Sequence, residues 1–377
     1  MEELSNEEIR KIQLTGKSTY IVSLPKKWVT SLGLKAGSPI RIIQQNSSLI
    51  LTPKEMAKPE TQPAEATLII SSKDDPDTIA RAIISLYLVG YNPIIVRAKE
   101  ERISTMQRNV IKELTRKKLV GTEIISETSN EIKLQTLASY PELSVENALK
   151  RMYIIATSMH NDAMQALKNL DKKLAQEVIQ LDDEVDRFSF YIIRQLKIAV
   201  QNGKILKDIG LSNPRDCLGY RVIVKFVERI ADHATIIAEN VLSVEEKPSE
   251  EVLQILYEMS TLAQNVFEDA IKALFKKDYT LADQVISKAK TIAVLESKTI
   301  KELQSKLKQS DISNIRMITE SIRRTAEYAS DIAEIVLNLN INQIINVNYT
   351  TIDDGDFSYK SLSEKFRKRL FVKKTKR

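Results

Sequence analysis

The sequence predicts a multidomain, mainly helical protein: an N-terminal β unit, a small α/β module, then two antiparallel three-helix bundles. Three observations carry that prediction. Residues 228–242 return, degraded, as residues 323–337 at a constant offset of 95. Upstream, Asp162-Ala163, Ala166-Leu167, Asp171, Leu174-Ala175 and Val178-Ile179 return as Asp269-Ala270, Ala273-Leu274, Asp278, Leu281-Ala282 and Val285-Ile286, at an offset of 107. Two helical blocks that keep their order while their spacing shortens imply one duplicated unit with an unequal inner loop. Finally, apolar residues recur at helical spacing throughout 144–339, whereas the preceding sequence alternates in short β-like runs.

Residues 1–54 form the first unit, with short alternating strands expected at 9–14, 19–24, 40–45 and 48–52. Between them Pro25 opens a helix, Lys-Lys-Trp-Val-Thr-Ser-Leu continues it, and Gly33 is placed to stop it. Asn46-Ser47 is a hairpin signal. Strands this thin bury too little surface alone, so the unit is expected to be an intertwined homodimer. Residues 55–65 read as a linker, in a stretch holding Pro53, Pro59 and Pro63. Residues 66–140 read as a strand (66–70), a helix (76–88) opened by Asp74-Asp75-Pro76-Asp77, a strand (93–96), a helix (104–118) and a strand pair turning at Ser129-Asn130. Gly90 and Pro93 punctuate a turn there and make no phosphate loop, because no further glycine follows.

Six helical segments come next, at 144–169, 172–201, 215–243, 249–276, 280–308 and 312–339. The repeat boundary divides them into one bundle over 144–244 and another over 249–339. Residues 340–377 are a polar linker and a basic tail. In that tail Phe366, Leu370 and Phe371 interleave with Lys and Arg. Either a basic amphipathic segment for DNA or anionic lipid, or a solubilising tail, fits this pattern.

Composition narrows the function classes. The single cysteine, Cys217, excludes a disulfide framework and reads as a small core residue in a reducing compartment. No apolar run approaches the ~18 residues of a membrane span and no signal segment is present, so a soluble, cytoplasmic protein is expected. Residues 360–377 hold nine Lys/Arg and one acid, and residues 1–54 hold eight against four, so basic surface gathers at the chain ends. A polyanionic partner would meet those ends. There is no Walker motif, no G-x-G-x-x-G, no G-x-S-x-G and no cysteine cluster, and the chain is read as a non-enzyme.

The acidic constellation is the main chemical signal. Asp182 and Asp186 lie one turn apart on one helical face, and so do Glu228 and Asp232, so two helices can present four carboxylates to one another. Like charges that close repel unless a cation sits between them, which suits a hard or borderline metal ion. A solvated face paired with Arg187 and Arg229 is the other reading of the same spacing. At the repeat offsets Asp182 becomes Ala289, Asp186 becomes Ala293, Glu228 becomes Arg323, and only Asp232 keeps an acid, as Glu327. One ion site per chain is therefore expected. The two histidines, His160 and His233, are too few for a di-iron oxidase pattern, and His233 is read as structural.

The duplicated unit, with Asp182-x-x-x-Asp186 and Glu228-Arg-Ile-Ala-Asp-His-Ala, resembles the PhoU family of phosphate-uptake regulators. That resemblance implies two three-helix bundles binding iron or zinc, with magnesium as a further candidate. It implicates Asp182, Asp186, Glu228 and Asp232, with Asp183 as an extra ligand. Residues 9–54, with Arg10-Lys11, Leu14-Thr-Gly-Lys17, Leu24-Pro-Lys-Lys-Trp28 and Leu32-Gly-Leu34, resemble the AbrB/SpoVT swapped-hairpin DNA-binding domain, with a small insertion at Ser18-Thr19. This second resemblance implies a swapped-hairpin β-barrel whose Arg10, Lys11, Lys17, Lys26 and Lys27 contact DNA. Together they imply a cytoplasmic, homodimeric, metal-binding transcriptional regulator of phosphate uptake. The alternative is an adaptor acting by contact with a phosphate transporter or its sensor kinase, its barrel serving only to dimerise.

Overall fold

A computed structural model describes residues 8–16, 18–45, 48–54, 64–137, 143–304 and 312–345. The linker, the Asn46-Ser47 turn, Lys17 and the basic tail lie outside them wholly or in large part. The chain divides into two compact units at residues 62/63.

In the N-terminal unit β1 (Gln13–Thr15) pairs antiparallel with β2 (Thr19–Ile21), and β3 (Ile40–Gln45) with β4 (Ser48–Pro53). Between the hairpins α1 (Lys26–Ser31) starts after Pro25 and ends where Gly33, at φ +64°, turns the chain back. The expected barrel is not closed within one chain: the strands form two separate two-stranded sheets. The reason is the thinness of the unit. Ile12, Leu14, Tyr20, Ile42 and Leu49 are all exposed, because a single set of amphipathic hairpins has no second layer to cover its apolar face. The first strand also begins later than its apolar alternation suggests, at Gln13 rather than at 9.

The second unit opens with β5 (Ala66–Ile70), α2 (Pro76–Val89), β6 (Ile94–Ala98), α3 (Thr105–Lys118), β7 (Thr122–Glu127) and β8 (Glu131–Thr136). Its sheet order is β5-β6-β8-β7, with β5 parallel to β6 and the remaining pairs antiparallel. Asp75 caps α2 by accepting from the Thr78 amide, and Ser104 with Gln107 closes a capping box on α3. Ile79, Ile83 and Tyr87 of α2 and Ile111 of α3 bury against Val96, Ile132 and Leu134.

The helical repeat follows as α4 (Val145–Asn169), α5 (Lys172–Gln201), a short α6 (Gly203–Asp208) and α7 (Asp216–Ser243), then α8 (Glu250–Lys276), α9 (Tyr279–Gln304) and α10 (Ile312–Asn340). The short helix is an addition to the six expected from periodicity. Duplication is visible in the turns. Leu170 and Lys277, 107 residues apart, both adopt the left-handed conformation, at φ +50° and +53°. The next residue of each turn, Asp171 or Asp278, caps the following helix. Cross-copy contacts obey the same symmetry. Tyr153 meets Phe267 edge-on at 5.1 Å, and at the exchanged positions Ser260 meets His160 at 2.8 Å. Between α7 and α10, Phe226 stacks on Tyr328 while Ser321 bonds to His233, again an exchanged pair. One apolar core runs through both copies. Cys217 is buried in it, and among the described residues no helix is long and apolar enough to cross a membrane.

The α/β module is seated on α5. Arg194, 2% exposed, reaches the C-terminal end of α2, where it donates to the carbonyls of Tyr87, Gly90 and Tyr91 and lies 4.8 Å from the Tyr87 ring centre. A cation suits that end because the helix dipole leaves its carbonyls partly negative. The helix backbone comes so close here that a side chain at Gly90, which also has φ +110°, would meet Ile198 at 2.9 Å.

Candidate functional site

Helices α5 and α7 pack along their length through Val185, Ser189, Val227 and Ala231, all buried. That packing brings the half-buried Asp182 and Asp186 of one helix towards Glu228 and Asp232 of the other. Burial, with the charges of Asp182 and Glu228 added to it, pushes the Asp232 carboxyl up to about 6. Asp186 is raised by burial, against the pull of Lys118, and Asp182 by burial and by Asp186. Asp182, Asp186 and Asp232 thus each feel neighbouring carboxylates, as acids brought close together must.

The groove is partly neutralised. Glu228 accepts from Ser189 at 3.0 Å and from Lys225 at 2.5 Å, and Thr235 donates to Asp182 at 3.4 Å. Lys118, the last residue of α3, places its Nζ 3.0 Å from Asp186 and 3.1 Å from Asp183. Burial pulls the lysine pKa down, but its bonds and charge contacts with Asp186 and Asp183 outweigh this and hold it above the ordinary value. The two arginines expected in the alternative reading to pair the acidic face have other partners. Arg187 pairs with Glu184 at 3.6 Å, and Arg229 lies over the Tyr328 ring.

The donor set fits a metal ion in kind: all-oxygen, anionic and drawn from two rigid helices. In position it is not yet a closed cage. Among the described residues no three acidic, His or Cys side chains stand ready to grip an ion. Neither histidine joins the groove. His160 is fully buried, and His233 is held between Ser321 and Tyr328; burial takes both down to about 4 and so keeps them neutral.

The second copy resolves the same packing problem differently. Arg323 replaces Glu228, and Glu296 replaces Ser189; Arg323 Nε stands 2.9 Å from Glu296. Arg323 also pairs with Glu327 and lies 3.7 Å from Glu320, and Arg324 reaches Glu327 at 3.1 Å. Here the excess negative charge is answered from within the same copy.

In the N-terminal unit Lys11, Lys26 and Lys27 are exposed, the last two opening α1. Arg10 is paired with Glu8. Sequence reasoning missed Lys118, Arg194 and Ser189. Lys118 ends a run of three basic residues that reads as ordinary helix C-terminal charge, and only the docking of α3 on α5 singles it out. Ser189 was findable, because the 107-residue offset pairs it with an acid, Glu296.

Paired three-helix units that share one core, the first lined by half-buried carboxylates, define a tandem helical-bundle protein. Residues 149–241 and 256–336 match the PhoU domain, so the chain carries two copies of that domain. Residues 13–59 match the antidote-toxin recognition domain MazE of bacterial antitoxins. The chain is similar to the phosphate-specific transport system accessory protein PhoU homolog 1 of Thermotoga maritima, 28% identical over 217 residues, 55% of this chain and 89% of the relative. A PhoU homolog of Borreliella burgdorferi is 26% identical over 50% of this chain and 87% of its own length. Among solved structures, PhoU from Pseudomonas aeruginosa aligns at 25% identity and a TM-score of 0.47, covering 52% of this chain and 96% of that one.

Proposed function

We propose that the protein is a DNA-binding regulator of phosphate uptake whose first PhoU copy holds a metal ion. The observation that carries this reading is the fusion itself: two PhoU domains in one chain with a basic hairpin unit. Relatives named as accessory proteins of phosphate-specific transport support the pathway. Exposed Lys11, Lys26 and Lys27 support contact with a phosphate backbone, and the uncovered apolar strands support pairing with a second copy. Asp182, Asp186, Glu228 and Asp232 would hold an iron or zinc ion, with magnesium a further candidate and Asp183 beside them. Bound there, the ion would supply the positive charge that lets four carboxylates stay ionised side by side. The chain's own residues do the rest: α5 and α7 fix the acids, and the buried side chains between them set their spacing.

The same relatives, named as transport accessories, favour a second reading, in which the chain acts by contact with transporter components and the hairpins only dimerise. Crosslinking the protein to DNA across the genome separates the two; peaks at transporter promoters are expected. In vitro, replacing Lys26 and Lys27 with Ala in both protomers should flatten the log-log salt dependence of binding by about 2 to 4 units, from about 0.9 per phosphate contact. A mutant that stays dimeric with an unchanged slope would make the adaptor reading the better one.

A further inference from the structure

We propose that Lys118 is the resident counter-ion of Asp183 and Asp186 in the acidic groove, and that a metal ion entering the groove competes with it, so that the middle α/β module tunes the affinity of the ion site. This rests on the metal reading above and adds to it the part played by residues 66–137. Three observations support it. The lysine comes from outside the PhoU copies, as the terminal residue of α3, yet its Nζ stands within 3.1 Å of both Asp183 and Asp186. Asp186 is one of the four groove carboxylates, so an ion using its oxygens and a lysine bonded to Oδ2 draw on the same charge.

The second copy supplies the internal control. There the equivalent groove holds its own cation, Arg323, which pairs with Glu296 and Glu327. A covalently built cation leaves no place for an ion. The first copy has Glu228 at that position, answered by its own Lys225, and Asp186 takes its cation from a neighbouring module, one that can withdraw by turning a single long side chain. Lys118 is tethered only by its helix end, while the rest of the module is anchored to α5 independently through Arg194. Displacing the ammonium therefore need not undock the module. The consequence of ion binding would be local: release of the end of α3 and of the loop that leads from it into β7.

The test uses the full chain, Lys118→Met, and Zn2+ as the probe. Titration calorimetry should show the variant binding Zn2+ about tenfold more tightly than the parent, since one positive competitor has gone. Lys118→Arg, which keeps the charge, should bind like the parent. Amide exchange over 115–119 should rise on Zn2+ addition in the parent and stay unchanged in Lys118→Met. Should methionine disturb folding, as judged by circular dichroism, Lys118→Gln provides the second neutral variant. Equal or weaker binding by a folded neutral variant overturns the competition while leaving the metal reading intact. Absence of Zn2+ binding in parent and variant alike overturns both.

Discussion

At equivalent places in the two PhoU copies, the first packs Ser189 against Glu228 and the second packs Glu296 against Arg323. The helix order is the same apart from the short α6 of the first copy; the charge is redistributed. The first copy keeps Asp182, Asp186, Glu228 and Asp232 where the second has Ala289, Ala293, Arg323 and Glu327. The pair of solutions shows that this helix crossing demands electrical balance and accepts it from different sources. In the second copy a guanidinium supplies it permanently. In the first, Lys225 and Lys118 answer four carboxylates only in part, and the proposed ion site rests on that excess. The copies differ once more in what they carry: Arg194 of α5 anchors the α/β module, and at the repeat offset stands Lys301.

That last difference allows the largest perturbation. Arg194→Met would leave the carbonyls at the end of α2 facing a buried apolar chain, and should cost about 3 kcal/mol of stability in chemical denaturation. A loss below about 1 kcal/mol would mean that the module is held by its apolar contacts alone. Next, Arg323→Met should destabilise by about 2 kcal/mol, because Glu296, Glu320 and Glu327 lose their shared partner at a position 17% exposed. A neutral outcome would show that the second copy does not need its internal cation.

The smallest effect has the opposite sign and belongs to the first copy. The Asp232 carboxyl sits at about 6 in the folded chain, above its ordinary value of 3.8. Between those two values the folded state holds a proton that the unfolded state has released, so stability falls as pH rises through the window and stays lower above it. In the presence of a chelator, Asp232→Asn should therefore be more stable than the parent at pH 7. The gain should be about 1 kcal/mol once solvent screening of a half-buried group is allowed for, and should vanish near pH 4. The two histidines, both held neutral by burial, make stability fall in the opposite direction, towards acid, and cancel in the difference between variant and parent. A gain that persists unchanged at pH 4 would point to a packing effect instead.

Much of this architecture is legible in the residues. The two offsets locate the copies, and helical periodicity places the six long helices within a few residues of their described bounds, the expected stretch 305–308 lying outside the described residues. Local signals also place α2, whose Asp75 cap precedes Pro76, and α1, bounded by Pro25 and Gly33. The acidic residues are legible for the same reason: a spacing of four is a statement about one face. What the sequence hides is everything set by docking between separate elements. No periodicity says that the end of α3 meets α5, so Lys118 reads as surface charge, and Arg194 reads as one more polar residue on a long helix although it is almost fully buried. In the N-terminal unit the strands are readable; within one chain they form two separate two-stranded sheets, because the barrel the resemblance implies needs the apolar cover of a second copy.

The most direct test of the asymmetry is metal content per chain. Parent, Asp186→Ala/Asp232→Ala and Glu327→Ala proteins would be loaded in turn with Fe2+ and with Zn2+, desalted and analysed by mass spectrometry for bound metal. Ions retained by the parent and by Glu327→Ala, and lost from the double variant, are the expected result. Equal loss from both variants, or no retained ion in the parent, would contradict the assignment of a single ion site to the first copy.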